Sequence, residues 1–387
     1  MPKQIKDCAI LAVFTVAITL IIWLPHILVI PSFWGLSFKE GFSTIYRNFD
    51  GLEYILIAKT FYDPAKFASL PQSLPALYFA SHFPGYAVLI AFFAPILGYL
   101  KAMLCVSVLS TIAATWAFYF LVKNFKLSEH PLFLSLIFLI LPARWVIVHT
   151  VGASEPLFIL LIILAIYFFM KFEQSKTFFY ILLAGIFGMF AQITRPPGIL
   201  LFIALSLFLL WKIIKQKLSF TAILRIIATY SPLLLIPLGL LGIFYLYNQT
   251  YGDFWAYFHS GDNIHLTFPP FQVFNKHQFW VGDMWLEDIV YIFILGFSGG
   301  MMLLKQKLFP MAFFVLTYLT AATLVVHRDI SRYLLPIFPF VLIAFEKVLT
   351  SREFKIILPI ILLAIYLYAQ NFMLQNTAPI PNLSTFN

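Results

Sequence analysis

Charge is scarce in this chain. Of 387 residues only 11% are Asp, Glu, Lys or Arg, where soluble domains carry about 25%. That excludes an ordinary soluble domain. Cysteine is nearly absent: Cys8 and Cys105 stand alone, and the topology below places them near opposite membrane faces, so no disulfide is expected. No zinc-ligand spacing and no Gly-rich phosphate loop occurs. No small-residue cleavage site follows Lys3 and Lys6 ahead of the first apolar run, so the first helix is expected to stay in place. The net charge of +9 is not a nucleic-acid footprint, because the Lys and Arg residues sit in short loops between apolar runs.

What remains is 62% hydrophobic, in apolar runs of eighteen residues or more that recur from end to end. The chain therefore reads as an all-α integral membrane protein, one polytopic domain over 1–387. Eleven transmembrane helices are expected, over about 9–30, 103–122, 131–149, 156–171, 177–194, 198–212, 222–248, 289–304, 308–326, 333–349 and 356–372. A first outer loop, 31–102, carries juxtamembrane helices. Its apolar piece 86–99 is short and broken by proline and glycine, and is expected to be re-entrant or to lie at the surface. A second outer loop spans 249–288. With the amino terminus in the cytoplasm, the inner side holds fifteen of the 25 Lys and Arg residues and five of the 16 acids, a net of +10, which leaves −1 outside. Counting 82–100 as a span would put Lys123, Lys126, Lys171 and Lys176 outside, against the positive-inside rule.

The outer face then gathers Asp50, Glu53, Asp63, His82, Arg144, Glu155, Arg195, Asp253, His259, Asp262, His327, Arg328, Asp329 and Arg332. Most telling is 46–63, YRNFDGLEYILIAKTFYD, a polar patch with two acids in an otherwise apolar protein. As a helix from Gly51 it turns Leu52, Ile55, Leu56 and Lys59 to one side, and it is expected to lie at the membrane surface. Asp50 begins it and has two readings. It caps the helix, with Glu53 in the first turn, or it acts on a substrate that is half lipid and half water-soluble. Glu155 opens a helix ahead of Pro156, a pattern that a helix start explains equally. Arg328 and Arg332 are one helical turn apart beside Asp329, suited either to a phosphate or to a structural salt bridge. Arg195 lies in the tight turn TRPPG, and nothing about a turn requires an arginine. The aromatic residues of 249–288 suit an interface, though a forty-residue loop in a compact protein usually has a role.

The ordered motifs Phe49-Asp50-Gly51, Phe83-Pro84-Gly85-Tyr86, Ser154-Glu155-Pro156-Leu157-Phe158, Thr194-Arg195-Pro196-Pro197-Gly198, Tyr251-Gly252-Asp253 and Arg332-Tyr333-Leu334-Leu335 resemble the polytopic GT-C glycosyltransferases. The nearest likeness is to mannosyltransferase II of GPI-anchor synthesis and its prokaryotic relatives. That family has Trp-Asp-Gly in the first outer loop and Tyr-Thr-Glu-Ser at the fourth helix. Here Phe49 replaces the Trp, and Gly152-Ala153 replace the Tyr-Thr. The related protein O-mannosyltransferases carry Asp-Glu, where this chain has Asp50-Gly51.

The resemblance implies an inverting transferase of the plasma membrane, in a prokaryote. It would move a sugar, mannose by the nearest likeness, from a polyprenyl-phosphate donor to a hydroxyl of a glycan, glycolipid or protein on the outer face. Asp50 would be the general base. Glu53, His82, Glu155, Arg195, Asp253, Arg328 and Arg332 would bind substrates, and 249–288 would cover the site. No metal or cofactor is required, since arginines can neutralise the departing phosphate. A transporter or flippase of lipid-linked saccharides is the rival, but such proteins favour internal repeats and mid-membrane charges, and neither is evident here. A non-catalytic scaffold is the third reading.

Overall fold

The computed structural model describes residues 3–70, 74–261, 266–275, 277–280, 285–378, 383 and 386. Among them regular structure is helical, apart from isolated bridges such as Asn48 with Thr377. In chain order the helices are α1 (Lys3–Ile27), α2 (Ser43–Tyr46), α3 (Gly51–Thr60), α4 (Pro64–Ala68), α5 (Gly85–Leu97), α6 (Tyr99–Asn124), α7 (Pro131–Ile140), α8 (Ala143–Thr150), α9 (Glu155–Ser175) and α10 (Phe178–Thr194). There follow α11 (Ile199–Gln216), α12 (Phe220–Tyr230), α13 (Leu235–Tyr251), α14 (Ala256–His259), α15 (Trp285–Lys305), α16 (Phe309–Ala322), α17 (Ile330–Tyr333), α18 (Phe338–Ala344), α19 (Glu346–Leu349) and α20 (Arg352–Gln375).

Seven described helical segments are long and apolar enough to cross a membrane, and the bent pair α7–α8 makes an eighth. The shorter apolar segments Phe178–Thr194, Phe309–Ala322 and Ile330–Ala344 fall where three further spans are expected. Several expected helices are interrupted, and proline is the cause each time, since it lacks an N–H and its ring clashes with the preceding turn. The span expected over 131–149 bends by 77° between α7 and α8, at Pro142. The one over 222–248 breaks into α12 and α13 around Ser231-Pro232. The one over 333–349 divides into α17, α18 and α19, with Pro336 and Pro339 in the divided stretch. The piece expected over 86–99 is α5, thirteen residues long. At 1.5 Å per residue it spans about 20 Å, short of the roughly 30 Å hydrocarbon layer.

The chain divides into two compact units. The first comprises 1–160, 243–261 and 347–387. In it α1 packs on α6, α7, α8 and α20. Trp23 donates to the Thr150 carbonyl (2.7 Å) and Trp116 to that of Cys8 (2.9 Å), so indole rings join α1 to its neighbours. Tyr119 donates to Asp7 (2.5 Å) and accepts from Lys123 (2.8 Å), which pairs the buried acid.

The second unit comprises 161–242 and 262–346. Glu173 accepts from Lys212 (2.7 Å) and from Tyr230, tying α9 to α11 and α12. The α15–α16 pair meets at Gly296 and Gly300, where a Cβ would stand 2.8 Å and 2.6 Å from Leu319 and Leu316 side chains. Close helix approach through small residues is how spans associate without a hydrophobic driving force.

Candidate active site

Helix α3 is not the half-exposed surface helix expected of it. Gly51, Leu52, Tyr54, Ile55, Leu56, Ile57, Ala58 and Thr60 are all buried, and a helix covered on nearly every side belongs to an interior. Its start is fixed by close packing. A Cβ on Gly51 would stand 2.7 Å from Met103 Sδ and 2.9 Å from the Gly152 carbonyl oxygen. The glycine after Asp50 thus lets α3 rest on the backbone of 151–154, the loop that leads to Glu155. Tyr54, one turn on, bonds Ser154 Oγ at 2.9 Å.

The approach to Asp50 is equally constrained. Asn48 is fully buried, and its amide donates to the carbonyls of Thr44 (2.8 Å) and Met373 (3.0 Å). Phe49 sits at φ +49°, a left-handed conformation that a bulky residue seldom adopts and that costs of order 1–3 kcal/mol. Its ring stacks on Phe372 of α20 (5.6 Å), which also lies under the Arg144 guanidinium at 3.9 Å. The strain is held in place by packing and turns Asp50 out of the preceding chain direction.

Asp50 occupies the N-cap position of α3, but its side chain makes no capping hydrogen bond. Asp63 shows the contrast: at the start of α4 it accepts from the N–H of Ala65 and Lys66. Of the two readings of Asp50, the cap fails on geometry. Beside it, Glu53 Oε2 is 2.9 Å from His82 Nε2, and Tyr78 donates to Glu53 Oε1 at 3.3 Å. One donor atom from each of Asp50, Glu53 and His82 falls within 4.8 Å of the others, a spacing that a metal ion would tolerate. Ser81 Oγ lies 2.8 Å from His82 Nδ1, whereas Glu53 Oε2 is buried with no hydrogen-bond partner among the described residues.

The segment around His82 forms the wall of this pocket. Phe83 is fully buried against Tyr247 and Tyr257. Tyr86 donates to the Met103 carbonyl, contacts Ser107 Oγ (2.6 Å) and meets Tyr54 edge-on. Burial holds the Tyr62 hydroxyl well above the usual phenol range, and it donates to the His82 carbonyl at 2.6 Å. Glu155 is buried at the first turn of α9. Asp253 is engaged locally: Oδ1 accepts from the Trp255 N–H and Oδ2 from His259 Nδ1 (2.6 Å). The His259 bond holds the Asp253 carboxyl below its usual range. Tyr251 reaches the Ala76 carbonyl (3.1 Å), so 251–259 is fastened to the turn 76–81.

The first unit thus brings Asp50, Glu53 and His82 together. Arg195, Arg328 and Arg332 belong to the second. Arg195 precedes the turn at Gly198, where a Cβ would meet the Gln192 backbone at 2.5 Å. Arg328 is exposed and lies outside α17, whereas Arg332 within it is buried, so the two do not share a helical face. The second loop, 249–288, is shared: from Leu266 onward it bonds 323–325 of the second unit. Asp262 lies outside the described residues. Sequence reasoning did not single out Tyr54, Tyr78 and Phe372, whose polarity or ring character is commonplace in a membrane protein and whose partners lie well away in sequence.

No protein-family model and no curated protein sequence matches the chain. Its fold is similar to that of ArnT from Cupriavidus metallidurans in the apo state, with a TM-score of 0.56 and 13% identity over 88% of this chain and 60% of ArnT. The chain therefore spans about three fifths of the length of ArnT. What this likeness establishes is architectural: the chain shares the polytopic helical fold of ArnT.

Proposed function

We propose that the protein is a membrane glycosyltransferase that moves a sugar from a polyprenyl-phosphate carrier to an acceptor hydroxyl, with Asp50 as general base. The observation that carries this reading is a carboxylate at a helix start that does not cap the helix, held by a strained Phe49 and a buried Asn48. Functional residues often sit where the backbone pays for their orientation. The fold shared with ArnT, a 4-amino-4-deoxy-L-arabinose transferase, supports it. An apolar cleft of about 480 Å³ in the first unit, lined by Trp23, Tyr46, Lys101 and Cys105 among others, offers room for a lipid chain.

In the proposed step the acceptor oxygen attacks the anomeric carbon from the face opposite the phosphate. A new C–O bond forms as the bond to the carrier phosphate breaks, and polyprenyl phosphate leaves as an anion. The hydroxyl proton passes to Asp50, a role typically worth about 10²–10⁴-fold. Cationic side chains neutralise the leaving phosphate, and no metal or cofactor takes part. The sugar is mannose, on the motifs shared with mannosyltransferase II. The acceptor is a glycan, glycolipid or protein, and the site faces the outer side of the membrane. Protein in lipid nanodiscs, supplied with polyprenyl phosphates bearing mannose, glucose or aminoarabinose, tests this. The expected result is release of polyprenyl phosphate with transfer of mannose. A donor that changes leaflet without being cleaved would mark a flippase.

A further inference from the structure

Unpaired charge and apolar surface meet at one end of the second unit. Trp211, in the last turns of α11, packs on Phe309 at the head of α16 with ring centroids 4.5 Å apart. Lys215 lies over both rings, at 4.7 Å and 5.9 Å. Lys217 follows just past α11, Lys305 ends α15, and Lys307 stands in the short connection to Phe309. All four lysines are exposed, and none of their side chains makes a hydrogen bond or ion pair with a described residue. Glu173, the acid at the adjoining end of α9, is taken by Lys212 (2.7 Å) and Lys176 (3.3 Å). Glu346, which begins α19, pairs with none of the four.

Helix α12 adds the apolar surface. Ser219 caps it by accepting from the Ala222 N–H. Phe220, Leu224 and Ile227 recur at helical spacing on one face, and all three are exposed. Arg225, on the flank of that stripe, is exposed too. The apolar segment 220–251 has 32 residues, about 48 Å if straight, against a hydrocarbon layer of roughly 30 Å. The break around Ser231-Pro232 takes up the surplus. Tyr230, at the far end of α12, bonds Glu173 and is reached by Lys212 at 3.4 Å. Both ends of α12 therefore stay near the last turns of α9 and α11. A helix so held, apolar on one face and basic on its flank, lies in the headgroup layer.

We propose that Lys215, Lys217, Lys305 and Lys307 bind the headgroup of an anionic phospholipid in the adjoining leaflet, with the exposed face of α12 against its acyl chains. Basic pockets between spans at a membrane surface suit such headgroups. A lysine at a helix end also suits the dipole, and positive loops set topology. Neither effect requires lysines from two helix ends to gather around one aromatic pair with no acid among them. The apolar face beside them favours a lipid over a free phosphate. The site is separate from Asp50, so the inference holds or fails independently of sugar transfer.

Native mass spectrometry of the purified protein, titrated with phosphatidylglycerol or phosphatidylcholine, tests it. The parent protein should retain phosphatidylglycerol in preference. Each lysine is expected to contribute about fivefold in affinity at low salt. Lys215→Gln/Lys217→Gln/Lys305→Gln/Lys307→Gln should therefore bind phosphatidylglycerol at least ~10²-fold more weakly, with phosphatidylcholine unchanged. Should four changes impair folding, Lys217→Gln/Lys307→Gln carries the test, with a loss of about 25-fold. Lys3→Gln/Lys6→Gln removes two exposed lysines of the first unit and should behave like the parent. An equal loss in that control would show non-specific attraction and overturn the site. So would a parent protein without preference for phosphatidylglycerol, or lysine variants that keep it. Displacement of the lipid by an equal concentration of inorganic phosphate would assign a free anion and overturn the lipid.

Discussion

Gly51 and Gly152 touch backbone to backbone: a Cβ on Gly51 would stand 2.9 Å from the Gly152 carbonyl oxygen. The first turn of α3, with Asp50 at its head, is therefore seated on the loop that precedes Glu155. In the sequence these glycines are a hundred residues apart and look like ordinary turn residues. In the structure they set how closely two parts of the candidate site approach.

Gly51→Ala should accordingly cost about 1–3 kcal/mol as an overpacked contact and displace Asp50, lowering both melting temperature and transfer. Gly242→Ala is the control. Nothing lies within 4 Å of a Cβ there, and its position inside α13 predicts a gain of about 0.5–1 kcal/mol. Thermal unfolding of the two variants in one detergent checks the contrast, and equal melting temperatures would contradict the packing account.

Arg328 and Arg332 should separate on the same measurement. Arg332 is 3% exposed, and emptying a buried site of comparable size costs about 2–5 kcal/mol, so Arg332→Ala should destabilise the protein strongly. Arg328 is exposed, and Arg328→Ala should leave stability within about 1 kcal/mol. If the arginines bind the donor phosphate, Arg328→Lys should still weaken donor binding by losing bidentate geometry. Unchanged donor affinity in Arg328→Lys would remove that residue from the phosphate reading.

Much of the fold was legible because spans announce themselves: apolar length reports a helix that must satisfy its own backbone in lipid. The breaks were less legible. Pro142, Pro232 and Pro336 were visible, but whether a span kinks, divides or tolerates a proline depends on neighbours that local pattern does not name. Asp50 stood out as an acid in an apolar chain, and Glu53 and His82 as polar residues at an interface. The strain at Phe49 left no trace in sequence, because it is imposed by Asn48 and by Phe372, whose partners come from the far end of the chain. The burial of α3 was misread for a similar reason. A short amphipathic stretch looks the same whether its polar face meets water or the polar groups of Tyr78, Ser154 and His82.

The proposed orientation makes a separate prediction. In a background with Cys8 and Cys105 replaced by Ser, single cysteines at Lys126 and Gln216 should react with an impermeant maleimide only from the cytoplasm. One at Lys66 should react only from outside. All three positions are exposed, so accessibility is not limiting. Labelling of position 126 from outside would make α5 a full span and invert the arrangement.

The central claim is that Asp50 is a base and not a cap, and Asp50→Asn tests it most directly. A cap tolerates Asn, which ranks with Asp at that position, and here the side chain makes no capping bond to lose. An amide, however, takes up no proton from an acceptor hydroxyl. Purified Asp50→Asn, assayed with a polyprenyl-phosphate sugar, should melt within about 1 kcal/mol of the parent protein, bind donor as before, and transfer sugar at least ~10²-fold more slowly. A stable Asp50→Asn protein that transfers at the parent rate would contradict the account.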